Sequence, residues 1–161
     1  LGIWTDSDSD DYVGWLRFLK AVAGYRDRFP DLVLAHYAHH ERSTIAQYAE
    51  RYDMHDNEVV AYLLGDSSPL FDLQQPILQS LVLPVSGYGL KDICKHPKLV
   101  NFQWEDAGSG SQWSVVQFNR FLSEADVTTR QELKRSIIGY NRDDVMATRA
   151  LEVWLRRNFA E

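Results

Sequence analysis

The stretch "IIGYNRDDVMAT", residues 137–148, lies in a segment whose apolar residues recur at helical spacing. One stripe of this predicted helix contains Ile137, Tyr140, Asp144, Ala147, Leu151 and Trp154. A carboxylate buried among such residues is costly unless it is paired, hydrogen-bonded or bound to a metal. We therefore predict that Asp144 faces inward, four residues after Tyr140 and on the same helix face. Asp143 falls on a more peripheral stripe, and a stripe displaced by one residue would instead make Asp144 a surface residue.

The rest of the chain alternates between strand and helix signals before it becomes helical. We predict a strand end at residues 1–4, a polar loop at 5–11, helices at 12–25 and 41–52, and a strand at 32–37. Further helices are predicted at 55–66, 68–84 and 112–124, with one or two helices at 128–159. A turn followed by a short helix is predicted at 85–97, and a loop at 101–111. This order predicts an α/β fold with an incomplete sheet, in a single domain over residues 1–161.

Charge, cysteine content and hydropathy limit the possible classes of protein. The net charge of −6 gives no overall basic surface, so binding to nucleic acid would need local basic patches or metal ions. No apolar run is long enough to span a membrane, and the sequence contains no signal-peptide pattern. The single cysteine, Cys94, fits a cytoplasmic setting and is expected to be a small buried residue. The apolar start "LGIW", without methionine, leads us to expect an N-terminally truncated excerpt of a longer protein.

Glu41 follows the predicted strand at residues 32–37 and begins the next helix. An acidic residue in a first helical turn suits the helix dipole, which is the structural interpretation. The functional interpretation is that the strand end delivers Glu41 to a crevice where open α/β sheets bind ligands. A competing hypothesis makes Glu41 a zinc ligand together with His36, His39 and His40, although their spacing matches no standard zinc motif.

Several of these motifs together resemble a known family. "YNRDDVMAT" resembles the third exonuclease motif of the DEDD (DnaQ-like) 3′–5′ exonucleases, a tyrosine followed four residues later by an aspartate, and "LVLAHYAHHE" resembles the second. With "FDLQQPILQSLVLPVSGYGLKDI" and "FQWEDAGSGSQWSVVQF", they are similar to the YprB-type ribonuclease-H-like domain found at the tail of RecB-like nucleases. The resemblance implies a ribonuclease-H-like (DnaQ-like exonuclease) fold, with a central mixed sheet flanked by helices and its N-terminal strands missing.

The resemblance also implies a two-metal nuclease that acts on DNA or RNA with Mg²⁺ or Mn²⁺. Asp144 and Glu41 would be metal ligands, and Tyr140 would orient the attacking water. The remaining candidates that the resemblance suggests are Lys91, Arg142 and Arg149 for substrate binding, and Asp72 and Asp143 as supports. A RecB-like nuclease or helicase domain in the same polypeptide is the implied partner.

One part of the family pattern is missing. The first motif, Asp-x-Glu on an opening strand, should lie upstream of "LGIW", and we do not accept Asp6, Asp8 and Asp10 in the polar loop as substitutes. The alternative function is therefore a non-catalytic module of the same fold that binds nucleic acid or docks a partner. Trp104 and Trp113 are the tryptophans that we consider for base stacking, with packing as the simpler role.

Overall fold

The computed structural model describes residues 3–6, 8–105 and 113–159. The chain forms two compact units, Leu1–Val82 and Leu83–Glu161. The first unit contains α1 (Asp8–Arg28), β1 (Leu34–His36), α2 (His40–Arg51), α3 (Glu58–Leu64), β2 (Leu70–Asp72) and α4 (Gln74–Ser80). The second unit contains α5 (Leu90–Cys94), α6 (Trp113–Ser123) and α7 (Val127–Phe159).

The sheet of the first unit consists, in the described residues, of two parallel strands. β1 pairs with β2 so that Leu34 lies opposite Leu70 and His36 opposite Asp72. Parallel strands need a crossover connection, which α2 and α3 provide here. The core between these helices and α1 is formed by Trp15, Leu19, Val22, Ile45, Ala49, Val59, Val60 and Leu63. This arrangement brings the ends of β1 and β2, and the residues that follow them, to one edge of the sheet.

The second unit is organised around α7, a continuous helix of 33 residues that packs against α5 and α6. Its buried face consists of Leu133, Ile137, Tyr140, Asp143, Ala147 and Leu151. These positions recur every three or four residues, as expected for one face of an amphipathic helix. The predicted helical periodicity of this segment is therefore confirmed.

The α/β class and the strand predicted at residues 32–37 are confirmed, and three local predictions are wrong. Residues 70–72 form β2 rather than helix, because pairing with β1 overrides a pattern that also fits a helix. The acidic segment from Asp8 onward is the first turn of α1 rather than a loop. Residues 3–5 lie outside any strand, and residues 106–111 of the predicted loop lie outside the described residues. Within the described part of the chain, no helix is long and apolar enough to cross a membrane.

Candidate active site

The connection after β1 is a strained turn that Asp72 holds in place. Ala38 has a φ of 62°, in the left-handed region that costs an L-residue about 1 kcal/mol or more. Its N–H donates to Asp72 Oδ1 at 2.8 Å, and its carbonyl oxygen accepts from His36 Nδ1 at 2.7 Å. Asp72 Oδ1 also accepts from the backbone N–H of Gln74 at 2.9 Å. Asp72 therefore fixes the turn that leads from β1 into α2.

Glu41 lies in the first turn of α2, directly after this turn. Its side chain is 51% exposed, and its Oε2 lies 3.5 Å from Nδ1 of the buried His36. Glu41 also lines a cavity of about 530 Å³ in the first unit, whose walls include Asp11, Trp15 and Tyr48. The structure thus places Glu41 where its carboxylate is accessible to a ligand.

The zinc hypothesis finds no support in the geometry of the histidines. The rings of His39 and His40 pack against each other with centroids 4.5 Å apart. His36 directs Nδ1 at the carbonyl oxygen of Ala38. Across residues 3–6, 8–105 and 113–159, no three His, Cys, Asp or Glu side chains are grouped so as to hold a metal ion.

A cluster around Asp11 was missed by the sequence interpretation, which placed this residue in a polar loop. Asp11 accepts hydrogen bonds from Tyr48 Oη at 2.7 Å, Arg51 Nη1 at 2.8 Å and Tyr52 Oη at 2.9 Å. Burial alone would raise the pKa of Asp11, but these hydrogen bonds and the charge of Arg51 outweigh it and lower the pKa. Burial and then the hydrogen bond to Asp11 raise the pKa of Tyr48 to about 12. The spacing of Asp11 and Trp15, four residues apart, was the available signal that α1 begins earlier.

In the second unit, Asp144 belongs to a hydrogen-bonded network. Trp104 Nε1 donates to Asp144 Oδ1 at 2.8 Å, and Lys91 Nζ lies 3.2 Å from the Tyr140 hydroxyl. The Lys91 ammonium also lies 4.5 Å from the centre of the Tyr140 ring. Burial, followed by the charge of Asp144 and a hydrogen bond to it, raises the pKa of Tyr140. Lys91 therefore lies beside Tyr140, which the sequence had already placed with Asp144 on one helix face.

The prediction that Asp143 is the more peripheral of the two aspartates is wrong. Its carboxylate is buried, with 6% of the residue exposed, whereas Asp144 is half-buried. Asp143 Oδ2 accepts the backbone N–H of Glu105 at 2.9 Å, and its Oδ1 lies 3.6 Å from Arg142. The two adjacent aspartates thus accept hydrogen bonds from two adjacent residues, Glu105 and Trp104. This segment covers Asp143, which periodicity within α7 alone does not reveal.

The other predicted residues have varied surroundings. Arg142 forms an exposed ion pair with Glu105 at 3.0 Å, and Arg149 is exposed on α7. Trp104 is 6% exposed, which agrees with packing, the simpler of the two roles considered for it, rather than with base stacking. Trp113 is half-buried, with its ring centroid 5.3 Å from that of Tyr140.

Cys94 is buried, as predicted for a small packing residue. Burial, with a smaller contribution from the charge of Asp144, raises the pKa of its thiol to about 12. The thiolate is the nucleophilic form of cysteine, and such a pKa leaves almost none of it at neutral pH. Cys94 is therefore not a nucleophile.

A parallel-stranded α/β unit with an accessible carboxylate after a strand, and a helix carrying a tyrosine–aspartate pair, are the features on which the resemblance to ribonuclease-H-like proteins depends. Comparison with known families agrees, because residues 6–156 match the RNase H superfamily. The chain belongs to the RNase H superfamily. Membership indicates nuclease activity in general, with nucleic acid as the substrate, and such nucleases generally use divalent metals. No curated protein and no solved structure matches the chain.

The donor set only partly fits a divalent-metal centre. Glu41 and Asp144 offer the hard oxygen ligands that Mg²⁺ and Mn²⁺ prefer. However, the described residues do not assemble three such ligands in one place. The residues that the structure describes therefore do not form a metal centre by themselves.

Proposed function

We propose that this chain is a YprB-type nuclease domain of the DEDD (DnaQ-like) superfamily that hydrolyses phosphodiester bonds in DNA or RNA from the 3′ end. The main support is the network around Asp144, where a phenol, an ammonium group and a half-buried carboxylate lie together on α7 and α5. The family match extends from residue 6 to residue 156. We therefore propose that both compact units belong to one ribonuclease-H-like domain whose complete sheet is mixed.

Each residue of the proposed site has a role that its surroundings allow. Glu41 and Asp144 would be ligands of Mg²⁺ or Mn²⁺, completed by carboxylates other than those described. Such ions, when bound, would supply an activated water and offset the charge on the leaving oxygen. The hydroxyl of Tyr140 would orient that water, and Lys91, beside this hydroxyl, would contact a substrate phosphate.

Four further residues would support the site or the substrate. Arg142 and Arg149 lie on the exposed side of α7, where both would contact the nucleic-acid backbone. Asp143 and Asp72 would act through the backbone segments that they hold, Asp143 through Glu105 and Asp72 through the turn after β1. Substitution of any of these four residues is expected to reduce activity less than substitution of Glu41 or Asp144.

The decisive experiment is Asp144→Asn in the intact protein, assayed on 5′-labelled single-stranded DNA and RNA with Mg²⁺ or Mn²⁺. We expect the variant to lose at least about 100-fold in rate, because a ligand of a catalytic ion is worth several kcal/mol in the transition state. A matched control is Glu152→Gln, which removes a carboxylate of the same helix that pairs with Arg156. Undiminished degradation by Asp144→Asn would contradict the proposal, as would products that shorten from the 5′ end.

The second candidate is a non-catalytic module of the same fold that binds nucleic acid, or docks a RecB-like nuclease or helicase domain of the same polypeptide. The observation that favours it is the incomplete set of metal ligands in the described residues. This candidate predicts that the wild-type protein retains labelled single-stranded DNA on a filter without degrading it. In that case Asp144→Asn would change neither result, whereas the nuclease proposal requires metal-dependent loss of the substrate.

A further inference from the structure

Trp104 lies in a segment that hydrogen bonds hold on both sides of it. The preceding Phe102 donates its N–H to the carbonyl oxygen of Cys94 at 2.7 Å, and its ring meets Trp104 edge-on. The following Glu105 donates its N–H to Asp143. Trp104 itself is 6% exposed, so its ring contributes to packing. The segment would keep these contacts if Trp104 lost only its indole N–H.

The single polar atom of the Trp104 side chain points at Asp144. Its Nε1 is a donor only, and it lies 2.8 Å from Asp144 Oδ1. Hydrogen bonds to an ionised carboxylate are about twice as strong as bonds between neutral groups. The terminal torsion of an aspartate is otherwise broad, so this bond restricts the plane of the carboxylate.

Two lysine ammonium groups lie near the indole ring that donates to Asp144. The ammonium groups of Lys91 and Lys95 lie 5.5 and 5.6 Å from the centre of the Trp104 ring. Lys91 lies on α5 and Lys95 directly follows this helix, one helical turn later, so both present charge on the same side. Both ammonium groups thus lie within cation–π distance of the indole that donates to Asp144.

We propose that Trp104 is a positioning residue of the active site, whose indole N–H fixes the orientation of the Asp144 carboxylate. The inference rests on the proposed function, because it assigns to Asp144 a task for which orientation matters. Partners that orient metal-binding side chains typically contribute 10- to 100-fold in activity. Trp104 would act through Asp144 and would not touch the substrate.

The test removes the N–H and keeps the ring. In the intact protein, Trp104 is replaced by 3-benzothienylalanine, in which sulfur takes the place of the indole N–H. We expect kcat on single-stranded DNA with Mg²⁺ to fall about 10- to 100-fold, with KM changed by less than about twofold. The melting temperature should stay within about 2 °C, because the packing is unchanged. A folded variant with wild-type kcat would overturn the proposal.

A spectroscopic measurement examines the hydrogen bond without depending on activity. In a ¹H–¹⁵N spectrum, Asp144→Asn should move the indole proton signal of Trp104 upfield, because a neutral amide accepts more weakly than a carboxylate. The indole signal of Trp15, which donates to Met54 Sδ, should not move. An unmoved Trp104 signal would contradict the assignment of this bond.

The controls separate the two proposals from each other. Trp154, which meets Phe159 edge-on at the end of α7, receives the same replacement and should keep wild-type kinetics. If Asp144→Asn is inactive while the Trp104 replacement keeps full kcat, the positioning role is wrong and the proposed function stands. If Asp144→Asn remains fully active, the proposed function itself is wrong.

Discussion

Glu41 and Asp144 have the same proposed task but differ sharply in their surroundings. Glu41 is 51% exposed, and His36 lies 3.5 Å away. Asp144 is half-buried and accepts a hydrogen bond from the indole N–H of Trp104. Its carboxylate also forms a hydrogen bond with the side chain of Tyr140. Glu41 is thus placed mainly by the backbone that carries it, whereas Asp144 is placed by side chains that hold its carboxylate.

Because of this difference, substitutions at Glu41 and Asp144 should affect activity and folding stability in different proportions. A half-exposed carboxylate with one weak ion pair contributes little to folding, so its removal should be felt almost entirely in activity. A carboxylate inside a network affects both, because its partners lose their acceptor when it is removed. The comparison therefore predicts where a single substitution can isolate the chemical role.

The largest expected effect comes from Glu41→Gln, which preserves shape and removes charge. We expect activity on single-stranded DNA with Mg²⁺ to fall at least about 100-fold. The free energy of unfolding should change by less than about 0.5 kcal/mol, because the side chain is half-exposed. Urea unfolding and rate measurements on the same preparation check both statements.

The matched control for this prediction is Glu50→Gln on the same helix. Glu50 is exposed and pairs with His55, so its removal should leave rate and stability unchanged. Should Glu41→Gln keep its activity, Glu41 would be a helix-dipole residue rather than a ligand. A stability loss above about 1 kcal/mol would instead show that Glu41 has a structural role.

A smaller effect, now on stability, is expected for Asp143→Ala. The substitution leaves the backbone N–H of Glu105 without its acceptor in a partly buried place, which costs about 1–2 kcal/mol. Asp143→Asn keeps an oxygen that can accept this N–H, so it should lose less. The measurement is the difference in unfolding free energy between the two variants, and equal losses would contradict the role assigned to this hydrogen bond.

The contrast between the adjacent aspartates shows what the sequence could predict and what it could not. Periodicity within α7 correctly predicted the helix and placed Tyr140 with Asp144 on one face, because both depend on residues of the same helix. It gave the wrong exposure for Asp143, because the covering segment at Trp104 and Glu105 lies almost 40 positions earlier in the chain. A helical pattern contains no information about which distant segment covers it.

The same limit explains two further misses. β2 has three residues, Leu70–Asp72, and is defined by its pairing with β1 rather than by a pattern of its own. The Asp11 cluster joins α1 to α2 through Tyr48 and Tyr52, which lie about 40 positions later in the chain than Asp11. In contrast, β1 was predicted, because a short apolar run after a turn signal is visible locally.

The smallest predicted effect concerns pH and the first unit. The pKa of Asp11 is lowered in the folded state, because hydrogen bonds from Tyr48, Tyr52 and Arg51 outweigh the effect of burial. Ionised Asp11 therefore contributes stability above its unfolded pKa of 3.8, and this contribution is lost as the pH falls through the lower folded value.

Asp11→Asn tests this contribution directly. At pH 7 we expect the variant to lose about 1 kcal/mol, because a neutral amide accepts these hydrogen bonds more weakly than a carboxylate. At an acid pH below the lowered pKa of folded Asp11, the wild-type carboxyl is protonated, so the two proteins should approach the same stability. Urea unfolding at both pH values measures the difference, with the exposed Asp66→Asn as the control. A constant difference between the two pH values would mean that the charge of Asp11 does not hold α1 to α2, and that its effect is one of shape alone.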